Sequence, residues 1–130
     1  MLTGEQILAH LIGDFVLQSG WMANNKQKRA LPALVHSLVY YVPFLIMLQP
    51  SVATSVVIVG THFVMDKWAL ARYVAYAKEF LSPSSEWKPW NECNETGLPK
   101  EVPPWLAKWL LIIVDNTMHL AINALALAYL

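Results

Sequence analysis

The sequence is poor in charge. Charged residues make up 14% of its 130 positions, against about 25% in ordinary soluble domains. Nine basic residues balance nine acidic ones, so no net field draws the chain toward a polyanion, and nucleic acid is not an expected partner. The single cysteine, Cys93, excludes an intramolecular disulfide and a multi-cysteine zinc ribbon. Low charge combined with 56% apolar residues and a mean hydropathy of +0.39 argues against intrinsic disorder. No repeat occurs at a solenoid period. What remains is a membrane protein, or a soluble domain with an unusually apolar core.

Four apolar stretches are present, at about 4–21, 33–49, 51–76 and 105–130, with a loop rich in Pro, Ser, Asn and Glu over 82–104. A helix needs about 17–25 mostly apolar residues to cross a bilayer. The last three stretches meet this. The first is interrupted by His10 and Asp14, and either crosses or inserts partway. The expected fold is all-α: an integral membrane four-helix bundle forming a single transmembrane domain over 1–130, with an irregular interfacial loop between the third and fourth helices. Little more than Gln49 and Pro50 joins the second helix to the third, which predicts a tight hairpin. The start of the chain does not read as a removable signal peptide, because it has no basic start and runs into Asp14, Gln18 and a basic loop.

Charge orients this bundle. All nine basic residues (Lys26, Lys28, Arg29, Lys67, Arg72, Lys78, Lys88, Lys100 and Lys108) fall in the loops after the first and third helices or in the helix portions nearest them. Basic loops stay cytoplasmic, so both termini are expected outside a multi-pass inner-membrane protein. The six tryptophans fall toward the same basic side. There they either sit among headgroups or pack the helix ends.

The polar residues inside the apolar stretches carry the functional signal. The chain has three aspartates and four histidines. His10 precedes Asp14 by four, His62 precedes Asp66 by four, and Asp115 precedes His119 by four. Chance placement would pair all three aspartates this way in roughly 2 of 10,000 sequences. Residues four apart share a helix face, so each pair aims an imidazole and a carboxylate at one place. Reading along the expected helix directions, each aspartate lies on the cytoplasmic side of its histidine, as a layered shared site requires. The helix rise puts the His62 and Asp115 pairs near mid-membrane or slightly to its cytoplasmic side, and His36 only about 6 Å in from the end of its helix, as the outermost member. Gln6, His10, Asp14 and Gln18 form one stripe at spacing four. Asp115, His119 and Asn123 form another. Both read as supporting or pore-lining groups.

Each aspartate at a membrane helix centre costs about 2.5–3.5 kcal/mol on insertion scales, so something specific must offset three of them. Metal coordination is the first candidate, with His10, Asp14, His62, Asp66, Asp115 and His119 as ligands. Such a set suits one or two divalent ions, zinc being the ion these ligands commonly hold. Bound water would then be activated for hydrolysis, with Asp14, Asp66, Asp115 or, at the mouth, His36 as general base. Lys67 and Lys26 are candidates to bind a substrate phosphate as point charges, Lys67 having the plain alternative of snorkelling to the headgroups. The expected activity is a metal-dependent hydrolase acting on a lipid or phosphate-containing substrate near the cytoplasmic leaflet. Two readings from other classes stand beside it. One is a proton, ion or metal transport subunit using a His/Asp relay, which with so few helices would need to form a homo-oligomer. The other is a non-catalytic membrane factor that binds a host protein through the 82–104 loop.

The stretch His10-Leu-Ile-Gly-Asp14-Phe-Val-Leu-Gln18, with Trp21-Met-Ala and Lys26, resembles the opening of an uncharacterised family of small bacterial and phage membrane proteins, the domain of unknown function 3307. His36, His62-Phe-Val-Met-Asp66-Lys67 and Asp115-Asn-Thr-Met-His119 match its later elements, with Asn116 where the family often has Gln. The resemblance covers nearly the whole chain and implies a bacterial or phage origin, but no activity. A looser similarity to membrane-bound metal-dependent hydrolases, which also scatter His and Asp over short apolar helices, is an analogy.

The topology is directly testable. Reporter fusions at Asn25 and Leu130 should report opposite compartments, Asn25 cytoplasmic and Leu130 external. Both reporting the cytoplasm would mean that the four stretches do not all cross.

Overall fold

The computed structural model describes residues 1–130 and is helical throughout, with no strand. Helix α1 spans Gly4–Leu11 and runs into a π-helical turn, Ile12–Val16. The others are α2 (Gly20–Asn25), α3 (Ala30–Leu48), α4 (Val52–Trp68), α5 (Ala71–Lys78), α6 (Trp90–Cys93) and α7 (Pro104–Tyr129). The all-α expectation holds. Two helices, α3 and α7, are long and apolar enough to cross a membrane. The chain divides into two compact units. The first comprises Met1–Trp68 with His119–Leu130, and the second Ala69–Met118.

Local chemistry explains the first unit's elements. Thr3 caps α1: its hydroxyl accepts from the Gln6 amide and the Gln6 side chain accepts from the Thr3 amide, both at 3.3 Å. This is a capping box, so Gln6 serves a helix start rather than a polar stripe. The other end of that stripe is also diverted, because Gln18 donates to the Asp14 carbonyl at 3.0 Å. Between them, the Leu17 amide reaches the Ile12 carbonyl at 2.9 Å, a spacing of five that inserts an extra residue into the turn holding Asp14. Gln49 adopts a left-handed φ of 46° after Leu48, with Pro50 next to block continuation. Ser51 then caps α4 through the Thr54 amide at 3.1 Å. The α3–α4 connection is the tight hairpin that the sequence predicts.

The core of this unit contains Ala9, Tyr40, Phe44, Ile58 and Ala126. Helix α3 buries His36, Ser37 and Tyr40 together with Pro32, Ala33, Pro43 and Phe44, while Leu34, Leu38, Val42, Leu45 and Ile46 are exposed. So apolar an outer face is unlike that of a helix in a water-soluble protein.

The third apolar stretch is not one helix. Helix α4 ends at Trp68, Ala69 takes a φ of 48°, and α5 starts at Ala71. No glycine or proline marks this break, so the sequence reads straight through it. The second unit starts at that break. In it Trp90 stacks on Tyr73 with centroids 4.9 Å apart and meets Tyr76 edge-on at 5.1 Å, while Trp87 meets Phe80 at 5.0 Å. At least two of the six tryptophans therefore pack against neighbouring rings. Within 82–104 the chain forms a 3-10 turn, Ser84–Glu86, and the short α6. Gly97, at φ 83°, lies so close to α5 that an added Cβ would sit 2.1 Å from the Arg72 carbonyl oxygen.

Gly13 sits in the π turn, where a Cβ would meet the Tyr40 carbonyl oxygen at 2.6 Å. Gly13→Ala should therefore destabilise the protein by about 1–3 kcal/mol, as overpacking generally does. Gly20→Ala, with nothing within 4 Å of the added carbon, is the control and should unfold like the parent. Circular dichroism during thermal unfolding in detergent checks both.

Candidate metal centre

Three segments supply the centre. The π turn carries Asp14, the second turn of α3 carries His36, and the C-terminal part of α4 carries His62 and Asp66. All four are buried, at 0–5% exposure. His36 Nε2 lies 3.1 Å from Asp14 Oδ1, 3.1 Å from Asp66 Oδ2 and 3.0 Å from His62 Nε2. His62 Nε2 lies 3.1 Å from Asp66 Oδ2 and 3.5 Å from Asp14 Oδ1. The four donor atoms thus form a single knot, each within 4.8 Å of every other.

Hydrogen bonding does not account for this knot. A neutral imidazole Nε2 is either one donor or one acceptor, yet His36 Nε2 has three donor atoms within 3.1 Å and Lys26 Nζ at 3.5 Å. The opposite nitrogens of the same rings, Nδ1 of His36 and His62, are buried with no hydrogen-bond partner. Both rings spend their polar reach on one point. Donors around a tetrahedral ion with bonds of about 2.0–2.1 Å stand about 3.3–3.4 Å apart. Five of the six separations here fall between 3.0 and 3.5 Å. These buried His and Asp groups are able to hold a metal ion.

Of the remaining candidates, His10 and His119 lie beside this knot. His10 Nδ1 lies 2.9 Å from the Tyr40 hydroxyl and 3.8 Å from Asp14 Oδ2, which places it beside Asp14. The Asn123 amide donates to the same Tyr40 hydroxyl, and the Tyr40 ring stacks on His62 with centroids 3.7 Å apart and planes 13° from parallel. Tyr40 therefore fixes the His62 ring while tying α1 and α7 to α3. The π turn and the helix phases that meet at this ring have no sequence signature, so Tyr40 reads as an ordinary apolar-helix tyrosine. His119, 1% exposed, places Nε2 at 3.7 Å from Asp66 Oδ1. Asp115 lies in the second unit, half-buried, one turn before His119 along α7.

Two expectations need correction. His36 is not an outermost base at the mouth; it is fully buried and touches Asp14, His62 and Asp66. The break at Ala69 also leaves Asp66 two residues from the end of α4, so the knot lies at the helix ends beside the basic loop rather than midway along. That loop supplies the cation. Lys26 Nζ donates to Asp66 Oδ2 at 2.9 Å. Lys67 does not join the knot, since its ammonium donates to the Gln27 carbonyl at 3.0 Å and braces the residue beside Lys26. Cys93 is 2% exposed and sits in the second unit, where burial first and the nearby glutamates next push its thiol pKa up. It is a packing residue with no nucleophilic character.

Removing the Tyr40 hydroxyl isolates its role. Tyr40→Phe keeps the ring over His62 but leaves His10 and Asn123 without their shared partner, and should cost about 1–3 kcal/mol of unfolding free energy. Tyr40→Leu, which also loses the stack, should cost more; denaturant titration in detergent compares the two.

No curated protein and no solved structure matches this chain. The family described as Protein of unknown function (DUF3307) matches it over residues 2–130, and the chain belongs to that family.

Proposed function

We propose that this chain is a membrane-embedded, metal-dependent hydrolase whose first unit holds a divalent ion among Asp14, His36, His62 and Asp66. The observation that carries the reading is the knot of two imidazole nitrogens and two carboxylate oxygens at coordination spacing. The membrane part is supported by the length and apolarity of α3 and α7 and by the apolar outer face of α3, with His36 buried on its inner one. Intramembrane ionisable residues face the bundle interior in the same way.

A divalent ion bound there supplies Lewis acidity and lowers the pKa of water. The residues of the chain divide the remaining work. Asp14 and Asp66 offset the ion's charge, and His36 and His62 add nitrogen ligands. Four such donors would fill a tetrahedral ion, so a position for water requires an ion that accepts a fifth ligand, or one carboxylate that lets go. Asp66 turns one oxygen to the knot and the other toward His119. His119, with Nε2 3.7 Å from Asp66 Oδ1, is thus the imidazole at the edge of the centre placed to exchange a proton there. His10 acts through Asp14 as a positioning residue.

Elemental mass spectrometry on the full chain, purified in detergent, tests the metal. The parent should carry about one divalent ion, held through four protein donors. His36→Ala and Asp66→Asn should reduce this at least tenfold, and EDTA should lower the melting temperature of the parent only. A folded parent with no bound ion and no response to EDTA would overturn the metal and leave a His/Asp relay in its place. Hydrolysis is tested separately on chromogenic carboxylic and phosphoric esters. Turnover should be lost in Asp14→Asn. A metal-loaded parent inert on every ester would make the centre structural.

A further inference from the structure

We propose that Lys26 makes the metal centre a phosphate receptor, with one phosphoryl oxygen on the ion and another on the Lys26 ammonium. The inference rests on the metal reading above and names its ligand class.

Lys26 differs from the other members of the centre. It caps the end of α2, and its side chain is 16% exposed, whereas those of Asp14, His36, His62 and Asp66 are 0–7% exposed. It is therefore the member that joins the centre to the surface. Its Nζ lies 2.9 Å from Asp66 Oδ2 and 3.5 Å from His36 Nε2. Asp66 Oδ2 is at the same time 3.1 Å from both imidazole nitrogens. The ammonium and a metal ion thus compete for one carboxylate oxygen.

Charge then dictates the consequence. Among the first unit's own residues, a divalent ion and the two carboxylates of the knot balance without the lysine. With it, that set carries one positive charge in excess, in a space where an uncompensated charge is costly. An ion held by Asp66 Oδ2 would also repel the ammonium that donates to the same oxygen. An anion that spans both removes the excess and the repulsion together. A phosphoryl group has the size to do so, and lysine serves as a point-charge phosphate ligand. The backbone is arranged to hold the ammonium there. Lys67, next to Asp66, donates to the carbonyl of Gln27, next to Lys26, so two adjacent bonds clamp the same pair of segments.

Two opposite effects follow for a neutral residue at position 26. Metal binding without phosphate should strengthen, because the competing cation has gone, and the benefit of phosphate should vanish. Binding of Mn²⁺ to the full chain in detergent, measured by calorimetry with and without inorganic phosphate, reads both. For the parent and Lys26→Arg, saturating phosphate should raise Mn²⁺ affinity roughly 5- to 100-fold, the usual range for coupled sites. For Lys26→Met and Lys26→Gln, phosphate should change it less than twofold, and affinity without phosphate should exceed the parent's several-fold. A second arm uses proteoliposomes of phosphatidylcholine with and without phosphatidic acid. Strengthening by phosphatidic acid alone assigns a lipid headgroup, strengthening by inorganic phosphate alone assigns a soluble ligand, and either supports the receptor. Mn²⁺ binding that ignores phosphate in both arms overturns it. So does coupling that survives in both neutral variants, or an equal response to acetate. A parent that binds no Mn²⁺ under any condition strikes the metal reading itself, and this inference with it.

Discussion

Two aspartates lie beside each other among apolar helices, and most of the first unit is arranged around that fact. Moving a carboxylate into such surroundings costs several kcal/mol per ion even after relaxation. Asp14 and Asp66 meet that cost with the same partners, His36 and His62, and Lys26 adds a cation to one side of Asp66. Tyr40 then holds His62 by stacking and His10 by its hydroxyl. Every helical element of the unit contributes to it: α1 with its π turn, the residue capping α2, α3, α4 and the end of α7. The centre is therefore also the place where those elements are joined.

The π turn shows how the backbone serves this arrangement. In a regular helix Asp14 would stand directly over His10. The extra residue between Ile12 and Leu17 changes its direction, and Asp14 Oδ1 ends closer to His36, at 3.1 Å, than Asp14 Oδ2 does to His10, at 3.8 Å. Gly13 lets the wide turn close onto Tyr40. π turns recur at functional sites, and here the turn redirects one side chain in the last residues of the helix. The local cost is carried by a residue with no side chain at the point of closest approach.

Much of this was legible in the sequence, but unevenly. The i, i+4 pairing marked His10, Asp14, His62 and Asp66, because that spacing survives small errors in helix boundary. His36 has no partner at that spacing, so depth arithmetic alone placed it, and that arithmetic assumed a straight stack of full-length helices. The break at Ala69 removes the assumption. It lacks the glycine that such a φ favours, and shortening α4 moves Asp66 to the helix end where His36 also lies. Lys26 was legible as one of a run of basic loop residues and as a candidate phosphate ligand, but its pairing with Asp66 spans 40 positions and has no local signature. The Gln6 and Gln18 stripe failed for the opposite reason: spacing four was present, but nearby backbone groups claimed both side chains first.

The apolar outer face of α3 bears on what holds the unit together. In water, burying apolar area drives packing. Here Leu34, Leu38, Val42, Leu45 and Ile46 point outward, and the inner face sets His36, Ser37 and Tyr40 beside Ala33 and Phe44. If the outward rows face lipid, as we propose, the hydrocarbon around them is as good a solvent as a protein core, and helix association depends on close packing and polar contacts. The close packing is visible at Gly13 against Tyr40, and the polar contacts are those of the centre. Stability and chemistry then share the same side chains. Under the proposed reading, an alanine substitution at His36 or His62 removes a metal ligand and a helix contact at once, so a loss of activity would not separate the two. Isosteric changes such as Asp→Asn, which keep the contact and alter the charge, carry more information about what the centre does.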